Sequence, residues 1–521
     1  MILGDSASVT PAPITGRFTI DEVFRHIAEQ RPQALALADP PNREAFADAA
    51  PRRLTYAEAN RVVAAIAAQL HRMALPPDSI VAVQLPNIVE NILTVLGVLR
   101  AGMIAAPLPL LWRRADAAAA LARVGAKALI TCARVGAFDH CRLAREIAAE
   151  VFSVRYVCGF GKGLPDGVVP FDDLLDARKF DPEPLDRERP GNAASHVAVI
   201  TFDVGADGTI PTARNHAELL AGGLGVLLES RLAEPTNILS AVLPSSFAGI
   251  SVTLVPWLLS AGTLVLHQPF DAEIFARQRR EDHCSTLILP GPAAVHLAEK
   301  GAFEGEGSDC VIAVWRSPER LADAETWRDP HATFVDVSSF GEVAVVPARR
   351  GVGGRPQPLV LGPVIAPSGR ADGIMLADLT RTAAGTLAAR GAMAPHHPFP
   401  PGVEGSALPY VRIEPDGPVD TGYLCRADPA SGAVVLTGRP SGIVSVGGYR
   451  FSQRQLEEMV SRIDQGAKLA ALPYPLLGQR LIGNAADRKA VVAALAAAGI
   501  NPLAVAAFTD RSGRAIPAAA A

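Results

Sequence analysis

Paired cysteines, basic stripes and long apolar runs are all scarce in this chain, and each shortage removes a class of function. The six cysteines, Cys132, Cys141, Cys158, Cys284, Cys310 and Cys425, stand far apart with no CxxC, which argues against a disulfide framework or a cysteine-rich metal site. His140-Cys141 and His283-Cys284 are chain neighbours, a spacing that rarely lets both side chains reach one ion. With 49 basic against 53 acidic side chains there is no basic stripe interleaved with aromatics, so no nucleic-acid partner is expected. The longest apolar stretch, Val252 to Leu266, is broken by Pro256, Ser260 and Gly262, so no membrane span is expected. Residues Met1 to Arg17 lack the basic start and apolar run of a secretory leader, and a cytoplasmic location follows as the default.

What is present is a chain of 521 residues with 49% hydrophobic side chains, enough to bury a large core divided among several structural units. Thr55-Tyr-Ala-Glu58 is a capping box, and apolar spacing through Val62, Val63, Ile66 and Leu70 predicts an amphipathic helix behind it. Strand-like Ile80 to Leu85, Met103 to Ala106 and Ala128 to Thr131 then alternate with helix-like Ile88 to Arg100 and Ala117 to Val124. Such alternation predicts an α/β sheet that is mostly parallel.

A Pro- and Asp-rich passage, Asp181 to Pro190, reads as a surface connection. A second α/β layer follows, with strand candidates at 197–202, 238–243, 263–266, 286–289, 311–314 and 333–337. From Val343 to about 438 short β-like runs with many Gly and Pro predict a small β-rich subdomain. Beyond Gly438-Arg439, a strand-like run from Ile443 to Phe451 carries a double glycine, and Ser452-Gln-Arg-Gln455 caps a helix over Leu456 to Ile463. These predict a small α+β unit from 439 to 521, with a frayed alanine-rich tail at Ala515 to Ala521.

The most informative stretch is Val199 to His216, an apolar run and a glycine-bearing turn leading toward a helix-like segment from Ala217 to Leu228. A strand, tight turn and helix in that order point backbone N–H groups at an anion. Asp203 and Asp207 oppose any anion there, and the alternative is an ordinary turn held by Asx hydrogen bonds from the two aspartates.

With Leu54-Thr-Tyr-Ala-Glu58, Leu85-Pro-Asn87, Arg100-Ala-Gly102, Pro107, Gly438-Arg439 and Val446-Gly-Gly-Tyr-Arg-Phe451, the chain resembles the adenylate-forming superfamily of acyl-CoA synthetases, peptide-synthetase adenylation domains and luciferases. The resemblance implies an α/β fold. A large N-terminal domain, 1–438, holds two α/β layers plus the β-rich subdomain, and a small mobile lid, 439–521, is shortened by a few tens of residues. It also implies a reaction: MgATP and a carboxylate form an acyl-adenylate, whose acyl group passes to a thiol such as coenzyme A.

Carried over position by position, the resemblance assigns nucleotide-binding roles to Gly205, Gly208, Thr209, Arg214, Tyr423 and Arg439. Glu342, in Ser338-Ser-Phe-Gly-Glu342, takes the magnesium-holding and catalytic position, and Arg514, in Arg511-Ser-Gly-Arg514, takes that of the catalytic lysine. Phe247, Gly447 and Gly448 take acyl and CoA positions, and Ser441 that of the hinge.

Several of these positions depart from the family's pattern. The hydroxyls of its phosphate loop are replaced by Asp203, Val204, Ala206 and Asp207, and its Pro-Lys by Ile210-Pro211, leaving Arg214 to restore one positive charge. Gly341 stands for a threonine, Trp315-Arg316 for small residues against adenine, and Tyr423 for the aspartate that grips both ribose hydroxyls. Three readings follow. In one, a degenerate acyl-CoA synthetase-like protein binds a small carboxylate, acyl-CoA or nucleotide without efficient adenylation. In another, an active acyl-CoA synthetase has a rewired phosphate site. In the third, a partner docks on the Pro-rich loop Pro395 to Pro401.

Overall fold

The computed structural model describes residues 18–176, 191–303, 310–323, 327, 332–351, 353–366, 373–413, 417–474 and 477–509. Arg514, the alanine-rich tail and the 181–190 connection lie outside the described residues.

Two large sheets carry the molecule. The first orders its strands as 208–215, 197–205, 104–107, 80–83, 128–132, 156–160 and 168–170. All its neighbours are parallel except the 197–205/208–215 pair at one edge. The second runs 344–349, 333–340, 310–315, 286–290, 238–240, 264–266, 35–38 and 53–55, parallel inside with an antiparallel strand at each edge. Strands covered on both faces read as continuous apolar runs, which is why Ile80–Val83 and Ala128–Cys132 are buried at every residue. Ala344–Arg349 joins the edge of this second sheet, so the β-rich unit proper is the antiparallel six-stranded sheet 359–360, 433–438, 419–427, 386–390, 374–381 and 362–366.

Helices fill the layers between strands. Tyr56–Arg72 starts at the predicted box, with Thr55 and Glu58 capping each other reciprocally. Tyr56 stacks on Trp257, and both donate to the carbonyl of Gly262. His216–Ser230 packs closely on 247–252 and 254–260 because Gly222 and Gly223 leave no side chain there. A Cβ on Gly223 would lie 2.3 Å from Val255 Cβ.

The C-terminal elements gather round their own apolar cluster of Phe451, Leu456, Val460, Leu481, Val491, Leu495 and Phe508. The run read as one strand from Ile443 to Phe451 is a hairpin. Ile443–Val446 and Tyr449–Ser452 pair across Gly447 and Gly448, whose φ of 55° and 81° suit a two-residue turn that L-residues resist. No described helix is long and apolar enough to cross a membrane.

Candidate functional site

The stretch expected to be strand, turn and helix is strand, turn, strand and then helix. Val197–Gly205 folds back antiparallel onto Gly208–Asn215 with only Ala206 and Asp207 between Gly205 and Gly208. β-Branched Thr209, Ile210 and Thr212 favour extension after the turn, and Asn215 caps the helix that starts at His216. The helix N-terminus is therefore a strand's length from the turn, and Asn215 and Glu218 form its capping box. Thr209 lies in the second strand, its carbonyl accepting from Arg123 at 2.6 Å.

The aspartates face arginines from the C-terminal hairpin and helix. Both oxygens of Asp203 accept from one Arg450 nitrogen, at 2.9 and 2.8 Å, and Asp207 accepts from Arg454 at 2.8 Å. Asp203 also receives the N–H of Val204 at 2.8 Å and that of Glu342 at 3.3 Å. The Asx-turn alternative thus needs correcting, because the dominant partners are arginines distant in sequence. Gly341 explains itself in the same contact. With φ of 58°, it has no room for a side chain: a Cβ would lie 2.2 Å from Asp203 Oδ2 and 2.9 Å from the Arg450 guanidinium.

Glu342 is buried, and its carboxylate accepts the Phe247 N–H at 2.7 Å. Burial and then the charge of Asp203 push the Glu342 carboxyl up to about 7. The described residues contain no cluster of three His, Cys, Asp or Glu able to hold a metal. One oxygen of Glu342 is engaged by Phe247 and the neighbouring Asp203 is held by Arg450, so a magnesium ion here would have the second Glu342 oxygen as its protein ligand and would rely on phosphate and water for the rest.

Arg214 sits in the second strand with 1% exposure, where its guanidinium donates to the carbonyls of Met393, Glu342 and Val343. It also lies 3.6 Å over the Phe247 ring, and burial lowers it to about 10. Phe247 is accordingly core, with a Gly222 Cβ position only 2.6 Å from its ring.

The remaining family positions are occupied as follows. Trp315 is buried against Gly291 and donates to Asp336 at 2.8 Å. Arg316 donates to Ser246 Oγ and to the carbonyl of Gly448. Tyr423 is 1% exposed, edge-on to Phe340, and its hydroxyl accepts from Arg450 at 2.5 Å; burial raises it to about 12. Arg439 donates to Gln479 within the C-terminal elements, and Ser441 is exposed beside Gly442.

A cavity of about 480 Å³ opens between the C-terminal ends of the second sheet's strands and the C-terminal elements. Leu110, Leu243 and Trp315 wall it on one side, and Gly447, Gly448 and Tyr449 on the other. Lys300, Arg316 and Arg320 also line it, with no carboxylate among its described lining residues. His267 is engaged on both ring nitrogens, with Gln278 and the Asp271 N–H, and burial lowers its pKa.

Gly447 and Gly448 were reached from sequence; Lys300 and Arg320 were not, since nothing near them marks a site. Arg450 and Arg454 had a visible signal. Their four-residue spacing matches that of Asp203 and Asp207 with the opposite charge.

The family model described as AMP-binding enzyme matches residues 24–339. A 2-hydroxy-7-methoxy-5-methyl-1-naphthoate–CoA ligase of Streptomyces carzinostaticus is 25% identical over 482 residues, covering 88% of this chain and 82% of the relative. A salicylyl-CoA synthase / salicylate adenylyltransferase of a Streptomyces species is 24% identical, covering 82% and 79%. Among solved structures, the amide bond synthetase McbA of Marinactinospora thermotolerans matches with a TM-score of 0.69 at 18% identity, covering 93% and 94% of the two chains. The apo structure of Mycobacterium smegmatis MbtA matches with a TM-score of 0.62 at 20% identity, covering 95% and 93%.

Proposed function

The chain belongs to the AMP-binding enzyme family, and from that premise we propose that it binds an acyl or aryl thioester, or the corresponding carboxylate, with adenylation impaired or absent. One observation carries this reading. The hairpin 197–215 holds two carboxylates and a single cation, Arg214, which is buried and committed to three carbonyls. A triphosphate approaching that turn meets two carboxylates whose cations, Arg450 and Arg454, are already committed to them, and freeing those arginines for phosphate exposes it to repulsion of roughly a few kcal/mol for each carboxylate at an effective dielectric near 20. The buried Tyr423 and Trp315 support the same reading, since neither offers a nucleotide the contacts the family's residues would.

The ligand class follows from the cavity. Its volume of about 480 Å³ suits a small molecule. Apolar walls favour an alkyl or aromatic acyl group, and the excess of cations favours an anionic ligand. Relatives named for naphthoate and salicylate lend weight to an aromatic acyl group.

Isotopic ATP–pyrophosphate exchange with a panel of aromatic and aliphatic carboxylates at millimolar MgATP tests the proposal, alongside calorimetry with aryl-CoA and acyl-CoA thioesters. Silent exchange with thioester or carboxylate binding is the expected result. Sustained exchange with any acid overturns it in favour of a working ligase with a rewired phosphate site. Silence in both assays overturns it in favour of a protein partner.

A further inference from the structure

We infer that the hairpin 197–215 is the receptacle of an ionic latch, which holds the C-terminal elements closed over the cavity. The contacts converge from one strand–helix junction. Arg450 takes Asp203, Ser452 Oγ donates to the Ala206 carbonyl at 2.6 Å, Arg454 takes Asp207, and Gln455 donates to the Asp207 carbonyl at 3.4 Å.

The parts of this latch differ in weight. Arg450 and Asp203 are 11% and 18% exposed, so removing one partner leaves the other charge poorly solvated. Arg454 and Asp207, at 61% and 67%, form a solvated pair that salt screens. Arg450 also reaches the Tyr423 hydroxyl, tying the junction to the strand 419–427 as well as to the hairpin. Gly341 supplies the space the buried pair needs, and Gly208 the space for Gln455, whose amide is 3.1 Å from the Cβ position there.

Departures that look separate in sequence, at 203, 207, 341 and 423, are thus parts of one contact. Its consequence is mechanical. Gly447, Gly448, Tyr449, Tyr474 and Gly478 form one wall of the cavity, so the latch holds that wall in place.

Hydrogen–deuterium exchange read by mass spectrometry on the full-length chain tests this without any ligand, so its outcome is independent of whether adenylation occurs. In the parent protein, segments 203–208 and 449–456 are expected to be protected. The double variant Asp203→Asn with Asp207→Asn is expected to exchange there at least tenfold faster, while the buried strand 80–83 keeps its parental rate. Arg454→Ala, which removes the exposed Asp207 pair and the similarly exposed 3.9 Å pair with Glu458 while leaving Arg450–Asp203 intact, is expected to change the rate less than threefold. Parental protection in the double variant, or loosening by Arg454→Ala equal to that of the double variant, would overturn the inference.

Discussion

Replacing Arg214 by methionine separates a phosphate ligand from a structural cation. The side chain holds three carbonyls, of Met393, Glu342 and Val343, and lies 3.6 Å from the Phe247 ring. Charged hydrogen bonds contribute about 1.5–3 kcal/mol each, and a desolvated cation–π contact adds about 2. Against these stands the burial cost of the ion, several kcal/mol in real proteins. Methionine replaces the apolar stem, ends short of the guanidinium's position over Phe247, and leaves the carbonyls without their donor. The net loss is expected at about 3–5 kcal/mol, the lost hydrogen bonds and ring contact less the relieved burial cost.

Scaling the per-residue entropy of unfolding to a domain of this size gives a fall in Tm of about 3–5 °C. Differential scanning calorimetry at a fixed scan rate reads it, with MgATP titrations of both proteins beside it. A variant that melts with the parent yet differs from it in nucleotide affinity would refute the reasoning and place Arg214 in a phosphate site.

Three further outcomes follow. Tyr423→Asp alone is expected to leave ATP–pyrophosphate exchange at background, because the carboxylates of Asp203 and Asp207 stay in place; recovery by that one change would show that the hairpin charge is no obstacle. Gly223→Ala should destabilise by about 2 kcal/mol in urea denaturation. The new methyl at 2.3 Å from Val255 Cβ forces a shift that outweighs the gain in helix propensity, and an unchanged midpoint would contradict the packing. His396, about half exposed, is held above its ordinary pKa by its 2.7 Å hydrogen bond to Glu218. A raised folded pKa means that this docking contact is fully present below the unfolded histidine value and is lost as pH rises through the folded one. Exchange of segment 395–401 should therefore speed up across that window in the parent and show no such step in His396→Gln.

Much of the scaffold was legible because it depends on local patterns. The Thr55–Glu58 box sets a helix start, the apolar runs at 80–83 and 128–132 become buried parallel strands, and Ser452 caps Gln453–Ile463 as its spacing indicates. Two local readings failed, both where one turn had to be told from another. The glycine turn at 205–208 and the double glycine at 447–448 each close a hairpin. Pattern alone does not say whether the residues after a tight turn extend or coil, since partner strands on the sheet decide that.

The sequence by itself determined an α/β scaffold of the adenylate-forming kind and the charge of one loop, because periodicity, capping and charge are properties of neighbouring residues. Tertiary structure alone decided what that charge does. Asp203 and Asp207 meet Arg450 and Arg454 only after folding brings together segments nearly half the chain apart. The cavity walls likewise come from strand ends and a hairpin that no local signal links, because a charge's effect depends on the distance to its partner in space, which the order of residues does not give.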